Sequence, residues 1–580
     1  MTATTRPADL SFDVVITGGG FAGVQCAQQL AKELGPSATR RVALISDQNF
    51  MVFQPMLAEV AGSALSPRHV VNPLRRMCRE TTVLRGEIDH IDLAAHRLVV
   101  NAGDLDSETV IEFRHLVLTM GGIVDLSRVP GMAEHAFLMK NVGDALRLRA
   151  GVIDRFEEAN IEIDPVCQRR MMTFVVVGGG YSGVETAGQI LDLGKEMIES
   201  YPRIPSEFLR IVLIHSGATL LPQINEELGK YCEENLRARG VEIILNSRVT
   251  AMTARKVMLG DGRTIDTNLV VSTVGNAPHP LLSQLCRDSG VECVKGRIIT
   301  DSRLRVPGQD NLWAAGDCAA VPMPVQGSRE KAHARPSQPD SESATPSPFQ
   351  QQTYCPPTAQ FALRQGKLLA QNLAAMLGAG DQLRDFRFTG LGELAAIGHH
   401  AAVAEVFGMR FQGFFAWWLW RSVYLMKLPG IERKLRVVME WTLDLFFPRD
   451  IALFQPKPTR LMQEMHLEKD DVVFEAGEPA RSLYVVKSGT VVLHDESGAT
   501  LRTIKAGEHL GKQTILDKHK WRFTAVATEP TTLVAVSSEV FETVASTGAS
   551  PEGVFARPEA TVVHEVHAKE KVEATTPLAS

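Results

Sequence analysis

Paired cysteines are missing from this chain. Its eight cysteines, Cys26, Cys78, Cys167, Cys232, Cys286, Cys293, Cys318 and Cys355, form no CxxC pair and no zinc-ligand spacing. A disulfide reductase of the usual short-spaced kind is thereby excluded, and scattered thiols fit a reducing compartment, most of them as small core residues. A basic excess is missing too. The net charge is −6, which argues against nucleic acid as a partner. Long apolar runs are also absent: the two longest, around 411–428 and 439–447, are interrupted by Gln412, Arg421, Lys427 and Asp444. A membrane span needs roughly 20 largely apolar residues. No apolar run precedes the first strand, so no signal peptide is expected. Tryptophan is scarce, six in 580 residues, yet Trp417, Trp418 and Trp420 crowd into GFFAWWLWRSVYLMKLPG and Trp441 follows soon after.

What is present is glycine in a particular order. DVVITGGGFAGVQCAQQLAKEL, from Asp13, gives a short buried strand, then Gly18, Gly20 and Gly23 in GxGxxG spacing, then a helix. Gly18 allows the tight turn, Gly20 lets the backbone approach a pyrophosphate, and Gly23 lets helix and strand pack closely. The pyrophosphate then meets the positive end of the helix. MMTFVVVGGGYSGVETAGQILDL, from Met171, repeats the order with Gly178, Gly180 and Gly183. One match is weak; two, followed by GRIITDSRLRVPGQDNLWAAGDCA, point to two dinucleotide sites. Asp317, after a strand of small apolar residues, is placed to accept hydrogen bonds from a ligand hydroxyl.

With GGGFAG, FQPMLAEVAGSALSP, GGGYSGVE, AAGDCA, PPTAQ and the tryptophan-rich segment, residues 11–450 resemble the two-dinucleotide-binding-domain flavoproteins, and within them the type II NADH dehydrogenases. The resemblance implies FAD at the first site, NADH at the second, and electron transfer from flavin to a membrane quinone. Carried over, Gly18, Gly20, Gly23, Gly121 and Asp317 contact FAD. Gly178, Gly180, Gly183, Gly275 and Glu185 face NADH, with Glu185 near the nicotinamide. Two positions depart from the pattern. Ser46 stands where an acidic residue holds the first adenosine ribose, with Asp47 one place later, and His215 stands where the second unit has a glutamate. Without that carboxylate NADPH is not excluded by repulsion; NADH is favoured because no arginine ends the strand to recruit a 2′-phosphate.

Hydride transfer to flavin needs orientation more than acid–base residues, so the acceptor sets the substrate class. Sulfide chemistry would need reactive cysteines, and Cys167 precedes the second glycine motif, the wrong place for that pattern. In the family resembled, the helix after Pro356-Pro357 opens the quinone site with an AQxAxQ pattern. Ala359, Gln360 and Ala362 match it, while Arg364 occupies the second glutamine position and Gln365 comes one residue late. Trp417, Trp418, Trp420 and Tyr424 have the apolar body and polar tip of headgroup-layer residues. After Leu428-Pro429-Gly430, Ile431, Leu435, Val438 and Leu445 fall on one side of a second helix, and Arg433, Arg436, Glu440 and Asp444 on the other. Two such helices with Arg421, Lys427 and Lys434 describe an anchor lying on a lipid surface. The competing explanations are a homodimer interface and a packed internal layer.

From Phe454 short strands with turns at KSG, ESG and AGE suggest a small antiparallel barrel. It resembles the cyclic-nucleotide-binding domain: Gly511 and Arg522 match its phosphate cassette. Lys512, however, replaces the glutamate that would hold the ribose hydroxyl, and a lysine cannot accept that bond. Val321–Gln352 and the tail after Ser546 read as unstructured.

The expected fold class is α/β, with two Rossmann-like domains, a C-terminal amphipathic helical anchor and an appended antiparallel β jelly-roll barrel. The expected boundaries are 11–165 and 295–395 for FAD, 166–294 for NAD(P)H, 396–453 for the anchor, 454–546 for the barrel and 547–580 for the tail. The expected function is FAD-dependent, non-electrogenic NADH:quinone oxidoreduction, peripheral to the membrane on its cytoplasmic face, with Glu185 and Gln360 as the catalytic residues. Two alternatives use the same fold. A soluble diaphorase would not bind liposomes, and a redox or nucleotide sensor would bind nucleotide tightly and turn over very slowly.

Overall fold

The computed structural model describes residues 7–35, 38–101, 108–324, 353–453, 463–478, 480, 482–495, 497–511 and 521–537. The segment 325–352, Lys512 and the tail from 538 lie outside the described residues, and so do the expectations made for them.

The first glycine motif follows strand Leu10–Thr17, which pairs in parallel with Val42–Ser46 on one side and Glu108–Leu118 on the other. Val14, Val15 and Ile16 are fully buried, as a strand covered on both faces requires. The sheet has seven strands. Thr82–Arg85 lies at one edge and the antiparallel strands Arg97–Asn101 and Glu87–Asp92 at the other, while Leu312–Ala314 pairs in parallel with Glu108–Leu118. That late strand delivers the Gly316–Cys318 turn to the first glycine loop. The second motif follows Thr173–Val177, near the centre of a five-stranded parallel sheet ordered Ala136–Leu138, Leu269–Ser272, Thr173–Val177, Arg210–Ile214, Val241–Ile244.

Six helices position the sites: α1 (Phe21–Leu34), α2 (Leu57–Ala61), α3 (Tyr181–Ile198), α4 (Ala359–Met376), α5 (Gly413–Lys427) and α6 (Ile431–Leu443). Helices α1 and α3 start on the glycine loops, and α4 packs along α1. A three-stranded antiparallel sheet, Gly392–Gly398, Ala401–Val406 and Met409–Gln412, lies against α3 and carries α5. Leu428-Pro429-Gly430 separates α5 from α6, as the sequence predicts.

The tryptophans correct one expectation. Trp418 is exposed, but Trp417, Trp420 and Trp441 are buried in the core shared with α2, α3 and the second sheet. Arg421 is likewise buried, between the rings of Trp417 and Trp441 at 4.0 and 4.6 Å, and is no surface anchor cation. On α6 the covered face is mixed: Val437 and Trp441 are buried and Glu440 turns inward, whereas Arg436 stays exposed. Glu440 pairs with His69 at 2.6 Å and accepts from the Ser66 amide, while Ile431, Leu435, Val438 and Met439 face out. A helix amphipathic by pattern can bury either side, and here partners in the fold satisfy Glu440. No helix among the described residues is long and apolar enough to cross a membrane.

The C-terminal unit is two four-stranded antiparallel sheets facing each other. Trp521, stacked on Phe474 at 3.7 Å, belongs to its core, and both rings also line a cavity of about 500 Å³ shared with Thr253 and Arg255. The unit seats on the second Rossmann unit through Lys256–Asp471 at 2.6 Å and through His135, which pairs with the backbone of His466.

Candidate active site

A cavity of about 820 Å³ opens where the first glycine loop, the Gly316–Cys318 turn and the start of α4 converge. Gly18, Gly20, Ser46, Asp47, Gly121, Asp317 and Ala359 all line it. Gly23 does not. It sits one turn inside α1, where a Cβ would fall on the Gly18 carbonyl oxygen. Gly18 has φ +102°, a conformation that favours glycine. The first turn of α1 carries no acidic residue and Gly20 provides no side-chain cap, so its amides face the cavity unneutralised. These features fit a dinucleotide pyrophosphate. Asp317 is half-buried, and desolvation raises its carboxyl above its ordinary value against the pull of Lys140 and Arg297. Such a group gains from a hydroxyl donor. Ser46 is buried at its strand end and Asp47 exposed at the rim.

The second loop repeats the geometry. Gly178 has φ +118°, a Cβ on Gly183 would fall on the Gly178 carbonyl oxygen, and α3 starts at Gly180 without a side-chain cap. His215 lies against this loop and its Nδ1 accepts from the Gly179 amide at 3.1 Å. Burial lowers its basicity, so the imidazole is neutral and anchors the loop by an acceptor. Gly275, at φ +92°, is paired through its carbonyl with the Asp125 amide.

Glu185, one turn into α3, is half-buried. One of its oxygens accepts from the Ala396 amide at 3.1 Å and from Trp420 Nε1 at 3.2 Å. Burial pushes its carboxyl up to about 8 against those two bonds. An aromatic run links it to the cavity: Trp420 meets Tyr424 at 4.8 Å, Tyr424 meets Phe53 at 6.1 Å, and Phe53 meets the cavity-lining Phe21 at 5.9 Å. Gln360 is not in the cavity wall. Its amide bridges to the Gly392 carbonyl and Leu391 amide, holding the strand that leads to Ala396. Arg364 lies over the Phe388 ring at 3.9 Å, whereas the buried Gln365 accepts from the Gly316 amide at 2.8 Å.

Sequence reasoning missed Lys140 and His279, which line the cavity and belong to no motif. It also missed Glu59, on α2, which is 4% exposed and accepts from Trp441 Nε1 at 3.2 Å. Its one signal was a lone carboxylate inside the apolar run LAEVA.

Two glycine-loop units define a pyridine-nucleotide oxidoreductase, and residues 12–333 match the family model described as pyridine nucleotide-disulphide oxidoreductase. Residues 391–450 match the NDH2 C-terminal domain, and 464–547 the cyclic nucleotide-binding domain. The chain is 30% identical over 447 residues to the type II NADH:quinone oxidoreductase Ndh of Mycobacterium tuberculosis, covering 75% of this chain and 88% of that protein. An external alternative NAD(P)H-ubiquinone oxidoreductase of Arabidopsis thaliana is 26% identical, with 75% and 89% covered. The chain belongs to the type II NADH:quinone oxidoreductases. In fold it is similar to NDH2 from Plasmodium falciparum, solved with NADH, at TM-score 0.67 and 19% identity over 76% of this chain and 99% of that one.

Proposed function

We propose that the chain oxidises NADH and reduces a membrane quinone, with FAD as the carrier between them and no charge moved across the bilayer. The observation that carries this reading is the half-buried Glu185, joined by Trp420 to the helix whose outer face is apolar. FAD, when bound, would supply the two-electron redox chemistry that links NADH to a quinone. Gly18, Gly20 and the start of α1 hold its pyrophosphate, and Asp317 accepts from a hydroxyl. Gly178, Gly180 and the start of α3 hold NADH; His215 offers no carboxylate to a ribose, so NADPH also fits. Overall, NADH, one proton and a quinone yield NAD⁺ and a hydroquinone. Glu185, which keeps its proton near neutrality, supplies that proton and is reloaded from water. Gln360 acts by holding the Leu391–Gly392 backbone.

Phe414, Phe415, Trp418, Ile431, Leu435, Met439, Phe446 and Phe447 are all more than half exposed. Such a patch supports docking on lipid, where a hydrophobic quinone is met. Eight unbridged cysteines favour the cytoplasmic face. Lys512, which cannot accept from a ribose hydroxyl, argues for a docking role over cyclic nucleotide binding.

The test is anaerobic. NADH should bleach the flavin absorbance and a short-chain quinone should restore it. Bleaching without recovery would move the function to another acceptor and make the apolar patch a protein interface.

A further inference from the structure

In a Rossmann unit the end of the second strand faces the adenosine ribose of the nucleotide held on the glycine loop. In the second unit that strand is Arg210–Ile214, and His215 follows it where a carboxylate is expected. The imidazole is folded against the loop: a Cβ on Gly179 would fall 2.6 Å from its Cγ, and one on Gly217 2.8 Å from its Nε2. Nδ1 accepts from the Gly179 amide, so the ring proton sits on Nε2, a donor on the Gly217 side. Ser216, between them, is exposed.

The neighbouring strand supplies what this strand end lacks. Val241–Ile244 runs beside it, and the Ile244 carbonyl accepts from the His215 amide at 2.8 Å. The chain then turns at Asn246, φ +52°, and crosses the strand end. The Asn246 amide donates to the Gly217 carbonyl at 3.0 Å and the Ser247 amide to the His215 carbonyl at 3.1 Å. Arg248 comes next, and its carbonyl accepts from the Gly260 amide at 2.9 Å, so its backbone is held from both sides. Its side chain is exposed and pairs with no carboxylate among the described residues. The flanking carboxylates are committed elsewhere, Glu242 to Arg210 and Asp261 to Arg263, each at 2.7 Å. Ser247 Oγ, buried at the same turn, has no hydrogen-bond partner among the described residues.

We infer that this turn is the seat of a 2′-phosphate, with Arg248 the residue that makes the second site a site for NADPH as well as NADH. The inference rests on the pyridine-nucleotide binding proposed above for the second glycine loop. A free ribose hydroxyl gains most from a carboxylate acceptor, whereas a phosphate needs donors and a cation. His215 Nε2–H, the Ser216 hydroxyl and the Arg248 guanidinium are donors, and a guanidinium can meet two phosphate oxygens at once. The arginine missing from the end of Arg210–Ile214 is thus supplied by the turn after the next strand. The hydride step is unchanged: NADPH gives up two electrons and one proton as NADH does, leaves as NADP⁺, and the phosphate takes no part.

The test isolates the phosphate. Calorimetry of the FAD-loaded protein with 2′,5′-ADP and with 5′-AMP, each displaced by NADH, reads the 2′-phosphate alone. It should tighten binding by roughly tenfold or more, and the gain should shrink as salt is raised. Arg248→Gln should remove most of that gain and raise the KM for NADPH by a similar factor, with a far smaller change for NADH. Arg248→Lys should keep part of it, because the charge remains without the paired geometry. Ser216→Glu, which leaves Arg248 in place, should turn the preference against the phosphate by repulsion. Equal affinity for the two probes, or a gain that survives Arg248→Gln, would overturn the proposal and leave Arg248 a solvated surface residue, while NADH bleaching of the flavin would keep the second site standing. Failure of both NADH and NADPH to bleach the flavin would overturn the nucleotide site and this proposal with it.

Discussion

Trp420 Nε1 donates a 3.2 Å hydrogen bond to Glu185 Oε1, so a tryptophan of the helix with the apolar outer face ends on the carboxylate of the nucleotide-binding helix. Trp420→Phe deletes the donor and leaves a small cavity where the larger indole was buried. Because that bond favours the charged form, the Glu185 proton affinity should rise further. The cost in stability should be about 1–3 kcal/mol, the range for a buried acceptor left short of a partner. Chemical denaturation and the pH profile of quinone reduction check both.

The two raised carboxyls make stability depend on pH. Glu59 and Glu185 bind protons more tightly in the folded chain than at their ordinary value of 4.5, reaching about 7 and about 8. Their contribution is fully present below about pH 4.5 and is lost as pH rises through 7 and 8. Between those limits the denaturation midpoint should fall with pH from this source, and the double variant Glu59→Gln, Glu185→Gln should flatten the slope.

Gly23→Ala and Gly183→Ala separate the two sites. Each new methyl meets a carbonyl oxygen of its own loop, Gly18 or Gly178. The first variant should purify with little flavin absorbance. The second should keep its yellow colour and lose bleaching by NADH at concentrations that saturate the parent.

His215→Glu should restore discrimination against NADPH. The new carboxylate would accept from a ribose hydroxyl and repel a 2′-phosphate. A preference for NADH stronger by roughly tenfold or more in kcat/KM corresponds to about 1.4 kcal/mol or more. Unchanged selectivity would show that position 215 does not face the ribose.

Trp418→Glu with Leu435→Glu places two charges on exposed apolar positions. The pair should abolish co-sedimentation with liposomes and leave NADH bleaching intact, because neither side chain reaches Glu185 or the cavity. Retained liposome binding would assign the patch to another partner.

The glycine motifs were legible because their constraint is local. Gly18 and Gly178 need positive φ, and Gly23 and Gly183 need a missing Cβ, within six residues of chain. The tryptophans were misjudged because composition names an amphipathic helix without saying which side is covered. A ring at 420 is headgroup-like or core-like according to whether its N–H finds an acceptor inside the fold, and Glu185 is that acceptor from 235 residues away. Gln360 and Gln365 show the same division: the pattern placed a glutamine on α4, but only packing gave Gln365 to the Gly316 amide and Gln360 to the Leu391 backbone.

The sequence by itself determined two nucleotide sites, the helices that open them and the small barrel at the end, since each depends on residues close in the chain. Tertiary structure alone decided where charge is buried. Glu59 meets Trp441 across 382 residues, and Arg421 settles between two indole rings in the same core. Burial, more than residue type, sets how tightly a carboxylate keeps its proton, and no spacing rule encodes it.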